Sequence, residues 1–437
     1  MVFIIGVDDT DSPRGLCTTY VATELIREFR EYELIGYPRL VRLNPNIPWK
    51  TRGNGAIALV LGKGRGAPEP AGWLDGRPVL VYRKFSPIRV ELEGILSRAE
   101  RVVLANSAIG ERGTGPAVFA ALRRPPEELY LRAVREVVRV RDVEETLSPG
   151  VPERWMWRTH GGRRGLVGAS AAAAWRGRRR TYELLAYRER SRWGTPRRID
   201  FDSVLRMDEA FRTTFNNVDR RNRHVTIAPH SPCPVLIGIR ATSPVELEAA
   251  ALAVDTGERI DRMLVFVSNQ GTDDHLQRMR IADIKPRVSP VVEGTVSRAP
   301  RTLRGGHVFF SIRDPTGELV CAAYEPTKEF RNVVRRLVPG DRVVASGGVH
   351  GRPLTLNLEK LRVLSLAPLL RLRKPRCGRC GVVMKSRGRG GGFRCRRCGS
   401  RAGPESSSFE EIPRGLRPGI YEVPKCARRH LSKPLER

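Results

Sequence analysis

A chain of 437 residues is too long for one hydrophobic core and sets an expectation of three or four domains. Its 78 Lys+Arg against 47 Asp+Glu give a net charge of +31, with arginine supplying most of the basic residues; this points to phosphates, and by its size to a polynucleotide. A hydrophobic content of 40% without any run of 18 apolar residues excludes a membrane-spanning helix, and eight cysteines, only four of them in paired spacing, exclude a disulfide framework.

The chain opens on Phe3, Ile4, Ile5 and Val7, an apolar run that suits a strand buried on both faces. With no signal peptide ahead of it, the expected location is cytoplasmic. Asp8, Asp9 and Asp11 follow at once, then a turn at Ser12, Pro13 and Gly15 and a helix from about Cys17. Strand, acidic loop and helix start make the place where open α/β sheets hold ligands. Carboxylates this close repel one another unless a divalent cation sits among them, and Mg²⁺ with nucleotide phosphates is the usual solution. One helix cap would account for a single aspartate, not for three. Thr18 would then place its hydroxyl beside a bound phosphate at the helix N-terminus.

A strand–loop–strand passage comes next, its loop holding Lys50, Arg52, Gly53, Asn54 and Gly55. Two cations beside glycines make a phosphate grip; a solvated hairpin turn fits the same residues equally well. No GxxxxGK[ST] loop occurs, so this is not a P-loop protein. Farther on, Arg163, Arg164 and Gly165 lead into the small residues Gly168 to Ala174, which would let a helix start against a bound anion. Residues 201–275 read as strand–helix–strand, with Asp219 and Asp273 at strand ends and Cys233 between two prolines as a small core or pocket residue.

Past a linker at Pro286–Pro290, five strand-like runs with a helix between the third and fourth give the OB-fold pattern over residues 285–368. Cys377-x-x-Cys380 and Cys395-x-x-Cys398 have zinc-ribbon spacing and predict a closed, structural Zn²⁺ site. Between the pairs, Arg387, Arg389 and Phe393 suit nucleic-acid contact, and in the tail Arg428, Arg429 and Lys433 suit phosphates. Residues beyond about Ala367 are therefore expected to carry nucleic-acid affinity. Two readings fit these residues: an ATP-dependent enzyme acting on RNA, or a non-catalytic OB-fold/zinc-ribbon nucleic-acid-binding protein.

The segments GVDDTDSPRGLCTTY, GYPRLVRLNPNIPWKTRGNGA, RRGLVGASAAA, SPCPVLIGIRA, GGHVFFSI, CAAYEPTKEFRNVVRRL and YEVPKCARRHLSKPL occur in order along nearly the whole chain. Together they resemble the archaeal tRNA(Ile) 2-agmatinylcytidine synthetase family. The resemblance implies an α+β multidomain protein with a kinase-like catalytic domain (1–60 and 140–198), a ferredoxin-like domain (61–139 and 199–284), an OB-fold (285–368) and a zinc ribbon with tail (369–437). It implies a ligase that uses ATP to join agmatine to C2 of the wobble cytidine of an isoleucine tRNA with a CAU anticodon, so that AUA is read in place of AUG. ATP is split to AMP and phosphates, the γ-phosphoryl group activating the cytosine C2 oxygen before the amine displaces it.

By the same resemblance Asp8, Asp9 and Asp11 would hold Mg²⁺ and the triphosphate, and Thr18 would become phosphorylated by the enzyme itself. Lys50, Arg52, Gly53, Asn54, Arg164 and Gly165 would face the phosphates. The guanidinium of agmatine calls for a carboxylate or carbonyls, for which Asp219, Cys233 and Asp273 are the candidates. Three departures stand out. The match is poor between Gly64 and Pro116, Arg163-Arg164-Gly165 replaces an expected Gly-Arg-Gly, and relatives are expected to continue past SKPL.

Overall fold

The computed structural model describes residues 1–51 and 53–436. The first strand, Phe3–Asp8, lies inside a 13-stranded sheet. Its neighbours Gly55–Arg65 and Ala117–Ala121 both run antiparallel to it, so the carboxyl-end rule for open parallel sheets does not apply here. Burial on both faces holds as expected. Phe3, Ile5 and Val7 face the helices Thr18–Glu28 and Leu92–Ala105 in one cluster. On the other face, Ile4 shares a core with the helix Gly165–Ala174, which is small throughout from Gly168 on. Gly6 has no Cβ because the backbone of Ala169 occupies that space, which lets strand and helix touch.

The same sheet continues into a second half. Arg39–Arg42 pairs antiparallel with Gly55–Arg65 and parallel with Ile260–Ser268, bridging the two halves. Ile260–Ser268, Thr181–Arg188 and Val235–Ala241 form an antiparallel layer over the helices Phe201–Ala210 and Leu247–Leu252, with its own core.

The five barrel strands are Ser289–Thr302, Val308–Asp314, Gly317–Ala323, Arg342–His350 and Thr355–Ser365, with the helix Phe330–Arg335 between the third and fourth. First pairs with fourth and third with fifth, which closes an OB barrel. The expected linker at 286–290 is shorter than that, since Ser289 and Pro290 already belong to the first barrel strand.

The zinc ribbon has a small core of Cys377, Met384, Phe393 and Cys395. After it the chain returns: Gly419–Glu422 adds a strand to the barrel, beside Thr355–Ser365. The last residues then run into the large sheet, where Leu431 is buried in the cluster around Ile4.

Candidate active site

A cavity of about 500 Å³ opens where these parts meet. Asp8, Asp9, Asp11, Thr18, Lys50, Gly53, Asn54, Arg164, Gly165 and Cys233 all line it. Residues distant in sequence are thus gathered as the motifs suggested. Arg52 lies outside the described residues.

At one end the acidic loop is held rigidly. Asp8 Oδ1 accepts the Asp9 N–H at 2.8 Å, and Asp9 takes a positive φ of 61°. The Gly115 N–H reaches Asp9 O at 3.1 Å, and Thr114 Oγ1 donates to Asp11 O at 2.9 Å. Burial and then the Asp9 charge push the Asp8 carboxyl well above its ordinary range. Burial and then Asp11 raise Asp9 to about 7, against the pull of Arg164. Such a loop is short of positive charge.

Hard oxygen donors of this kind suit Mg²⁺. Among the described residues, however, only the ribbon cysteines gather three or more ligand atoms tightly enough to hold a metal by themselves. A cation at the aspartates would need phosphate oxygens to complete its shell, as Mg²⁺ usually does. Thr18 begins its helix, 5% exposed, and Thr10 Oγ1 donates to Thr18 Oγ1 at 3.0 Å.

Cations line the same cavity as this loop. Arg164, at the start of the helix Gly165–Ala174, lies 5.4 Å from the Trp49 ring centroid. Arg163 turns away to pair with Glu144, so only one of the two arginines faces inward. Lys50 is exposed and lines the cavity, where desolvation by the surrounding protein and then Arg429 lower its ammonium to about 8. Gly168 lets its helix abut the Asp8 carboxylate, since a Cβ there would overlap it.

The far wall was not visible in the sequence. Glu183, with a side chain 2% exposed, lies 3.2 Å from Arg42 and 3.4 Å from Arg240, three residues from three strands of one sheet. Arg197 donates to the carbonyls of Pro229, Ser231, Cys233 and Val235 at 2.7–2.9 Å and so shapes the loop that carries His230 and Cys233. Neither group has a local motif; a run of polar residues inside strands (Arg42, Glu183, Arg240) was the only signal.

Several expected contacts are placed elsewhere. Asp219 and Asp273 do not line the cavity. Asp219 accepts the Asn222 and Cys426 N–H groups, at 3.0 and 3.2 Å. Asp273 accepts the Lys433 N–H at 2.7 Å and pairs with Lys360 at 2.6 Å. Their oxygens fasten the tail and are not free for a guanidinium. Arg428, its side chain 4% exposed, is bound to Glu422 at 2.5 Å and Asn216 at 3.1 Å, so it serves the cavity wall and not an RNA backbone. Arg429 is tied to Asn46 at 2.6 Å and Glu359 at 3.3 Å. Lys433, Arg387 and Arg389 are exposed, as phosphate contacts require, whereas Phe393 is 4% exposed inside the ribbon and offers no ring to a base.

The four cysteine sulfurs lie within 4.8 Å of one another and fit one tetrahedral Zn²⁺. Replacing Cys395 by serine should remove one zinc per chain; metal analysis giving unchanged content would rule the site out.

Comparisons with known proteins agree with this division. Family models match residues 4–151 (TiaS TCKD domain), 163–275 (TiaS FLD domain), 291–364 (OB-fold nucleic acid binding domain) and 374–416 (TiaS C-terminal zinc ribbon domain). The first two match as contiguous segments. The tRNA(Ile) 2-agmatinylcytidine synthetase TiaS of Methanosarcina mazei is 43% identical, the match covering 99% of the chain and 97% of that protein. Two solved structures are similar over 100% of the chain and 97% of their own. One is a complex of TiaS with its isoleucine tRNA and ATP, with a TM-score of 0.86 and 37% identity. The other is a complex of TiaS with the same tRNA, AMPCPP and agmatine, with a TM-score of 0.82 and 34% identity.

Proposed function

Because the chain belongs to the tRNA(Ile) 2-agmatinylcytidine synthetase family, we propose that its central cavity is where ATP, agmatine and the wobble cytidine of an isoleucine tRNA meet. The protein is an ATP-dependent ligase that attaches agmatine to tRNA. The observation that supports placing the chemistry here is the convergence, in one cavity, of three aspartates, a buried threonine hydroxyl and inward-facing cations. A plain nucleic-acid-binding protein would have no use for that convergence.

In this reading Asp8, Asp9 and Asp11 hold Mg²⁺ together with the triphosphate. When bound, the cation neutralises phosphate charge and draws both raised carboxyl groups back toward ionisation. Lys50 and Arg164 line the same cavity, face the same phosphates and stabilise charge that builds during phosphoryl transfer. Thr18 presents a hydroxyl already oriented by Thr10, at a helix N-terminus that favours an anion; it is the proposed site of self-phosphorylation.

The γ-phosphoryl group passes to the C2 oxygen of the cytosine, turning a poor leaving group into a good one. The primary amine of agmatine then forms the C2–N bond as the C2–O bond breaks and phosphate departs, and the altered base reads AUA. The base must leave its stack to reach the cavity. For the guanidinium of agmatine, the loop fixed by Arg197 replaces Asp219 and Asp273 as the candidate, because it lines the cavity, whereas Glu183 is already held between Arg42 and Arg240. Cys233 remains on the wall of that loop. The setting is cytoplasmic, where the tRNA is; no helix among the described residues is long and apolar enough to cross a membrane.

Incubation with ATP, labelled agmatine and an isoleucine tRNA transcript bearing CAU should transfer label to the tRNA. Replacing Thr18 by valine, which keeps the shape and removes the hydroxyl, should abolish phosphate incorporation into the protein while ATP affinity stays within about threefold. No label in the tRNA under these conditions would overturn the reading, and a phosphorylated valine variant would remove Thr18 from it.

A further inference from the structure

We propose that Arg287 and Asn46 are positioning residues for phosphoryl transfer: from the barrel side they set the Trp49 ring, and through that ring the Arg164 guanidinium that meets the phosphates. This deepens the reading of the cavity as the ATP site and rests on it.

Trp49 is a large ring without a core. It is 41% exposed, in the loop between the strands Arg39–Arg42 and Gly55–Arg65, outside any ladder. Two guanidinium groups reach this one ring. Arg164 comes from the cavity, 5.4 Å from the ring centroid, and Arg287 from the segment leading into the barrel, at 5.1 Å. Both distances lie within cation–π reach. Arg164 is also near enough to Asp9 to pull its carboxyl down, which sets it against the acidic loop. Whatever fixes the ring therefore fixes a cation of the phosphate grip.

The barrel does the fixing. The Arg287 N–H donates to Val349 O at 2.9 Å, and Arg287 O accepts Asn44 Nδ2 at 3.0 Å. Three residues ahead of Trp49, Asn46 is 2% exposed and spends its side-chain amide on the barrel and tail. Its Nδ2 donates to Ser289 Oγ at 2.8 Å and to Val288 O at 3.2 Å. Its Oδ1 lies 2.6 Å from Arg429 Nη1 and 3.0 Å from His350 Nε2. Gly348, on the fourth barrel strand, leaves the cleft for this side chain, since a Cβ there would overlap Asn46 Oδ1 and Arg429 Nη1. An apolar residue would serve for packing alone; a saturated buried amide fixes orientation.

The backbone of Arg287 carries the same message. Its φ of 68° is a left-handed value at which asparagine or glycine is at ease and arginine is not. An arginine stands there nonetheless, and its guanidinium goes to Trp49.

The test follows phosphate incorporation from labelled ATP into the protein without tRNA, and agmatine transfer at saturating tRNA. The RNA-free arm is the sharper one, because a barrel that only held RNA would leave it untouched. Arg287→Asn suits the backbone and removes the guanidinium. It should lower kcat in both arms about tenfold, with affinities for AMPCPP and for tRNA within about twofold of the parent. Arg287→Lys, which keeps a cation over the ring, should recover to within about threefold. Asn46→Ala should show the same split between rate and affinity. Trp49→Leu should lose at least as much rate, and adding Arg287→Asn to it should cost nothing more, because both act through one ring.

Parental rates of RNA-free phosphorylation in Arg287→Asn would overturn the proposal. So would losses that multiply in the double variant, or a loss confined to tRNA affinity, which would make Arg287 an RNA contact. A parent that transfers agmatine but takes up no phosphate would remove Thr18 from the functional reading, and kcat of transfer against tRNA affinity would then decide. A parent with neither activity would defeat the reading of the cavity, and this proposal with it.

Discussion

Replacing Asp9 by alanine is expected to cut ATP turnover by at least about a hundredfold, the loss typical when one group that stabilises transition-state charge is removed. Affinity for tRNA should stay within about twofold, because Asp9 lies in the cavity and not on the exposed basic surfaces. Above about pH 7 the variant should also be no less stable than the parent in metal-free buffer. Asp9 is raised from 3.8 to about 7 by burial and Asp11, so the folded state holds its proton more tightly than the unfolded chain. A group raised in this way contributes stability that is fully present below pH 3.8 and is lost as pH rises through about 7. Melting in EDTA should therefore show the parent losing stability between pH 4 and 8, and the variant losing less. Added Mg²⁺ should restore the parent at pH 8 and do little for the variant. Full ATP turnover in Asp9→Ala would remove the acidic loop from the chemistry.

What could be read in the sequence was what is local in the chain. Four cysteines at paired spacing declare a metal site because their ligands lie on two tight turns, and the five-strand pattern declares a barrel because each strand alternates by itself. The acidic loop was legible for the same reason: its three aspartates fall within four residues. The cavity's far wall was not, since Arg42, Glu183 and Arg240 meet only through strand register. Asp219 and Asp273 looked like free carboxylates at strand ends. Each also accepts a backbone N–H group of the tail, over 150 residues away, a contact that no local pattern reveals. Phe393 looked like a ring among arginines suited to RNA, but a ribbon this small has little apolar material and uses the phenyl group as core. The antiparallel neighbours of the first strand were hidden for a related reason, because burial on both faces is common to parallel strands and to this one.

A chain ending at Val423 is expected to lose agmatine transfer by a hundredfold or more while retaining most of its affinity for tRNA. Excision of the ribbon alone, residues 376–402 replaced by a short linker so that Arg414 and Leu416 stay on the barrel, should do the reverse. Cutting near Ala367, as sequence alone suggested for separating RNA binding from catalysis, would confound the two, since the tail beyond the ribbon belongs to the cavity. Lys425, Cys426, Arg428 and His430 line it. His430 O accepts the Gly271 N–H at 2.8 Å and Leu431 O accepts the Asp273 N–H at 2.9 Å, while Leu431 itself is 1% exposed. Each such bond, lost, leaves a backbone group seeking water at a cost of about 1–3 kcal/mol, so the Gly271–Asp273 turn should loosen with it. Gly53 depends on the same segment, for a Cβ there would sit 3.2 Å from His430 Nε2. Losing the tail thus opens the cavity to water beside Lys50 and Arg42, where a higher dielectric weakens every charge the phosphates would meet. Meanwhile the exposed Arg387 and Arg389 on the ribbon stay in place. Labelled-agmatine transfer and tRNA affinity, measured on both shortened chains, separate the outcomes. A tail-less chain with normal transfer would show that the cavity is complete without its last wall.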